Sequence, residues 1–98
     1  DYSDICPQNT WGAISSAVCA ALCMACTKVG VLEMPEIPGN LDKDIFPVQL
    51  QWERGYVIPQ DIPGLGVDID MDIAEKYRTV PNSWHPHLVR NDGSLTNW

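Results

Sequence analysis

Sixteen consecutive residues, Ala13 to Lys28, contain neither proline nor glycine and carry a single charge, the lysine at the end. Alanine-rich sequence without breakers predicts a helix, and Lys28 would sit in its last turn, where the dipole favours a cation. A helix with almost no charge must be covered on more than one side. Asn9 or Thr10 is the expected N-cap and Gly30 the expected stop. On either side lie short apolar runs. Asp4-Ile-Cys-Pro7 is stopped by proline, and Val29-Gly-Val-Leu-Glu33 ends in a carboxylate. Both predict buried strands, so the first third of the chain reads as strand–loop–helix–strand, a parallel crossover unit.

After Pro35 the character changes. Five of the eight prolines fall between residues 35 and 66, which predicts extended, turn-rich chain. Within it, residues 49–59 read as a hairpin turning at Glu53–Gly55, with Tyr56 and Ile58 on one face. Asp70 to Arg78 reads as a short helix with acids in its first turn and Lys76 and Arg78 in its last. Thr79 to Trp98 shows no periodicity, and the sequence holds no internal repeat. The fold class is therefore α/β, divided into a unit at 1–34 and an irregular extension at 35–98.

Composition narrows the function. Thirteen acidic against six basic residues give a formal charge of −7, which argues against a nucleic-acid or anionic-membrane surface. The longest strongly apolar stretch, Ala17 to Cys26, is ten residues, half of what a membrane span needs. The chain begins at Asp1 without a secretory signal pattern, so it is expected to be a piece of a longer protein whose remaining strands complete the sheet. Four cysteines are too few for a disulfide scaffold, and Cys19 and Cys23 at i, i+4 on one helix are badly placed to bridge. Reduced thiols and a cytoplasmic location are expected.

Several motifs invite a chemical assignment. Cys19, Cys23 and Cys26 have the C-x3-C-x2-C spacing of radical-SAM iron–sulfur ligands, but those ligands converge from a flexible loop. In a helix the thiols pack as small hydrophobes, and an iron–sulfur protein ranks behind the other possibilities. Asp68-Ile-Asp-Met-Asp72 resembles the start of a calcium loop, yet the glycine and glutamate such a loop requires are replaced by Ile73 and Thr79. These acids are expected to cap the following helix. His85 and His87, with Trp84 beside them, either line a pocket or lie in an exposed tail. Pro63-Gly-Leu-Gly66 is a turn that lacks the third glycine of a dinucleotide fingerprint. Gln8 and Glu33 remain, each following an apolar strand, and in parallel α/β sheets chemistry gathers at the C-terminal strand ends. Glu33 is either a functional carboxylate in a polar pocket or a capping or salt-bridging one.

Residues Gly55 to Asp70, which run through Pro63-Gly-Leu-Gly66, resemble the C-terminal segment of the mandelate racemase branch of the enolase superfamily, in particular its acid-sugar dehydratases of the galactonate, mannonate and rhamnonate type. Cys6-Pro-Gln-Asn-Thr-Trp-Gly12 with the helix after it, Val31-Leu-Glu-Met34, and the ending Asn91-Asp-Gly-Ser-Leu-Thr-Asn-Trp98 agree in order. The resemblance implies the C-terminal part of a modified TIM barrel. Residues 1–34 would supply its last two strands and the helix between them, and 35–98 an extension returning over the barrel and a capping domain.

The resemblance further implies proton abstraction α to a carboxylate, Mg²⁺ stabilising the enediolate, and loss of a β-hydroxyl. Glu33 stands where the family places a glutamate that hydrogen-bonds a carboxylate oxygen of the intermediate. Gln8 stands where the dehydratases commonly carry a histidine acid or base, and glutamine cannot move a proton in that way. Asn9, Trp84 and His85 are the expected substrate-binding residues. No metal ligand is expected in this chain; the Mg²⁺ ligands and a lysine base would lie elsewhere in the parent, itself expected to be a homo-oligomer acting on a sugar acid. Alone, the chain is expected to be inert. The alternatives are a non-catalytic structural or interaction fragment and a diverged, inactive member.

Overall fold

The computed structural model describes residues 3–78 and 89–94. Trp84, His85, His87 and the last four residues of the ending run therefore lie outside the described residues.

The element order is α1 (Ala13–Ala25), β1 (Gln51–Glu53), β2 (Tyr56–Ile58) and α2 (Met71–Lys76), an α/β arrangement. The apolar helix forms as its composition predicts, but it is shorter at the C-terminal end. Cys26 already has extended backbone (φ −101°, ψ 140°), and its N–H closes back on the Cys23 carbonyl. Lys28 therefore stands beyond the helix, and no basic residue occupies the last turn. Gly30 does not stop the helix. It lies in the segment beside residue 5, where an added Cβ would meet the Asp4 Cβ at 3.4 Å. The N-cap is Gly12 rather than Asn9 or Thr10, with no side-chain cap bond.

The flanking runs come together in parallel, as expected, but over one bridge rather than two full strands. Ile5 pairs with Val29, its N–H donating to the Lys28 carbonyl at 3.0 Å and its carbonyl accepting from the Gly30 N–H at 3.0 Å. That alternation is the parallel ladder pattern. Among the described residues no further strand flanks this pair, and a two-stranded pairing by itself is marginal in water, which accounts for the single rung.

One stripe of α1, Ala13, Ser16, Ala17 and Ala20, is buried. Ala17 and Ala20 pack with Leu50, and Leu32, Met34, Val57 and Val67 close around them. The opposite stripe is open: Ile14, Val18 and Leu22 are about half exposed, at 47%, 48% and 50%. Burying the rest of each would contribute about 1 kcal/mol. The described residues thus cover α1 on one side, where its composition demands more than one.

In the extension, β1 and β2 pair antiparallel with Gln51 opposite Ile58 and Glu53 opposite Tyr56. Arg54 and Gly55 form the two-residue turn, both at positive φ (50° and 88°), the conformation that matches the twist of a tight hairpin. The Asp70 carboxylate accepts from the Ile73 N–H at 3.0 Å and caps α2. Asp72 lies in the first turn of α2 and Lys76 in the last. Asp68 pairs with Val48 in an antiparallel bridge. Gln49 ties the loops together: its amide donates to the Phe46 carbonyl at 2.9 Å, and its own carbonyl accepts from the Gln60 amide at 2.8 Å.

Candidate active site

Because Ile5 and Val29 are in parallel register, the residues that follow them leave the ladder at the same end. Gln8 is three positions past the bridge on one run and Glu33 four past it on the other. Between them stands Asn9. Its backbone N–H donates to Glu33 Oε2 at 2.9 Å, which joins the two ends directly. Both Gln8 and Glu33 are exposed. A carboxylate that is exposed and accepts one N–H is solvated and oriented together, without the cost of burying an unpaired charge.

Asn9 itself is fully buried. Its Nδ2 donates to Ser16 Oγ at 2.9 Å and to the Met34 sulfur at 3.8 Å, while its Oδ1 accepts from the Ser15 hydroxyl at 2.5 Å. Ser16 Oγ in turn donates to the Gly12 carbonyl at 2.8 Å. The asparagine therefore meets the first turn of α1 from inside instead of capping it. Ser15, Ser16 and Met34 were not singled out by sequence; the available signal was an asparagine followed six and seven residues later by two hydroxyls in an otherwise apolar helix.

An open groove of about 820 Å³ runs between the C-terminal half of α1, residues 29–38 and the hairpin. It is lined by apolar side chains such as Met24, Leu32 and Met34, with Trp52 and Tyr56 at the hairpin. Gln8 and Glu33 are not among its lining residues, so size does not mark the candidate site here. The polar rim does.

Cys19 and Cys23 lie in α1, whereas Cys26, expected on the same helix, stands just past its end; all three are partly buried and all four thiols are free. Burial, followed by the neighbouring thiols Cys19, Cys26 and Cys6, pushes the Cys23 thiol above the ordinary thiol range. Among the described residues no three His, Cys, Asp or Glu side chains come together to hold a metal ion. Mg²⁺ in particular does not fit: it takes about six near-octahedral oxygens, and the rim offers the one carboxylate of Glu33. No helix among the described residues is long and apolar enough to cross a membrane.

Residues 2–73 match the family described as Enolase C-terminal domain-like. Among curated proteins, the chain is 43% identical over 54 residues to a D-galactonate dehydratase family member of Marinomonas sp. (strain MWYL1), covering 55% of this chain and 13% of that protein. It is 39% identical over 54 residues to a D-mannonate dehydratase of Rhizorhabdus wittichii, covering 55% and 13%. With a D-mannonate dehydratase of Caulobacter vibrioides it shares 35% identity over 75 residues, covering 76% and 18%. The chain thus spans less than a fifth of the length of these relatives. No solved structure matches it significantly.

Proposed function

Because the chain belongs to the Enolase C-terminal domain-like family, within the acid-sugar-dehydratase-like part of the enolase superfamily, we propose that it is the C-terminal part of an enzyme that dehydrates a sugar acid. In that reading, residues 1–34 complete a modified TIM barrel and residues 35–98 form the extension that returns over it. The rest of the polypeptide covers the open Ile14–Val18–Leu22 stripe of α1. A base removes the proton α to the substrate carboxylate, the β-hydroxyl leaves as water, and the resulting enol becomes a 2-keto-3-deoxy acid. D-Mannonate and D-galactonate, named for the relatives, are the first substrates to try.

The observation that supports this most directly is the Asn9 N–H to Glu33 contact. It joins two parallel strand ends at one rim, the location at which barrel enzymes gather their chemistry. Glu33 would hydrogen-bond an oxygen of the developing enediolate, an interaction made chiefly in the transition state. Gln8 would orient the substrate through its neutral amide without carrying a proton. The proton-transfer base and the Mg²⁺ ligands would come from other parts of the protein, since the described residues do not fit the metal. A cytoplasmic location and a homo-oligomeric parent belong to the same proposal; the four free thiols support the first.

Steady-state kinetics on the full-length protein tests the assignment. Glu33→Gln is expected to lower kcat/KM on the order of 100- to 1,000-fold, the usual loss for one oxyanion contact. Gln8→Ala should cost less, and Gln8→His would restore proton transfer if that position alone had diverged. Negligible effects of all three on an active enzyme would show the site to be misplaced. Gln8 also favours a second reading, a diverged member that binds sugar acids without turnover; binding with no product release would select it.

A further inference from the structure

We infer that Asn9 is a positioning residue whose buried side chain sets the Glu33 carboxylate at the rim, an inference that rests on the proposed role of Glu33. A fully buried asparagine must satisfy its own donors and acceptor within the protein. Here they are taken by Ser15, Ser16 and Met34. The side chain is therefore committed to the interior, and a contact between it and substrate does not fit this arrangement. What reaches the rim is its backbone N–H, which holds Glu33 Oε2.

The linkage is two-sided. Met34, which Asn9 Nδ2 meets, directly follows Glu33, so one asparagine grips that strand end at adjacent residues. Ser15 and Ser16 belong to the first turn of α1, whose Ala17 and Ala20 are fixed against Leu50. The helix position is thereby transmitted to the carboxylate through a chain of four hydrogen bonds. An exposed glutamate has rotamer freedom that would otherwise be lost at each encounter with substrate. Fixing it in advance is what preorganised sites require.

Amide hydrogen exchange on the full-length protein reads this linkage without any activity. Glu33→Ala should accelerate exchange at the residue-9 amide on the order of tenfold and leave the α1 amides unchanged. Asn9→Ala should accelerate the same amide. Should that variant fail to fold, Ser16→Ala removes the Nδ2 acceptor at nearly constant volume and should have the same local effect. In an active enzyme, Asn9→Ala should lower kcat/KM on the order of 100-fold, and add little to Glu33→Ala. Residue-9 exchange unmoved by these substitutions, or full additivity of Asn9→Ala with Glu33→Ala, overturns the inference. If exchange responds as stated but no sugar acid is dehydrated, the positioning stands and the proposed reaction falls.

Discussion

Among the described residues, Leu50→Ala removes the one large side chain at the centre of the core. Leu50 is 9% exposed and lies against Ala17 and Ala20, so it joins the extension to α1. Deleting three carbons of a nine-tenths-buried leucine forfeits about 2 kcal/mol of transfer free energy. The cavity adds less than usual, because the Leu32, Met34, Val57 and Val67 side chains around it are only partly buried and can settle inward. The expected loss is about 2–3 kcal/mol, at the lower end of the range for buried leucines. Urea unfolding of the full-length protein, followed by tryptophan fluorescence, measures it as a lower midpoint at unchanged slope. Val48→Ala, at a position 39% exposed, is the control and should cost about 1 kcal/mol. A Leu50→Ala loss no greater than that of the control would refute this description of the core.

Asp70→Ala removes the cap bond to Ile73 and should cost about 1 kcal/mol, seen as faster amide exchange confined to residues 71–76. Because the Cys23 thiol is raised by burial and neighbouring thiols, its alkylation rate should climb with pH along a curve displaced above that of a cysteine peptide; displacement below contradicts the burial. The linked stability has a definite sign: the folded state holds that proton more tightly, so this contribution is complete below the ordinary thiol range and is lost as pH rises through the folded value. Calorimetry of the 98-residue chain with Mg²⁺ should show no stoichiometric binding, since Glu33 alone supplies a carboxylate at the rim; a tight one-to-one isotherm would contradict that.

Features governed by local chemistry were legible in the sequence. The run from Ala13 announces α1, Glu53–Gly55 the hairpin turn, which the structure narrows to Arg54 and Gly55, and the acids before Ile73 the α2 cap, because each depends on residues within a few positions. What depended on neighbours was not. The runs 4–7 and 29–33 have strand-like sequences but make one bridge, since a parallel ladder needs flanking strands to persist. The end of α1 came at Ala25 rather than Lys28 because residues 26–30 turn aside to reach Ile5. Gln8 and Glu33 were visible as polar residues after apolar runs. The part Asn9 plays was not, because its partners Ser15, Ser16, Glu33 and Met34 are set by the way the loop folds back.

The most direct test of the assignment incubates the full-length protein and its Glu33→Gln variant side by side with Mg²⁺ and a panel of sugar acids that includes D-mannonate and D-galactonate. Proton NMR in D₂O follows the products. The unaltered protein should form a 2-keto-3-deoxy acid from at least one substrate, and Glu33→Gln should form it at least about 100-fold more slowly. No product from any member of the panel with folded protein, or equal rates from the two proteins, would contradict the assignment.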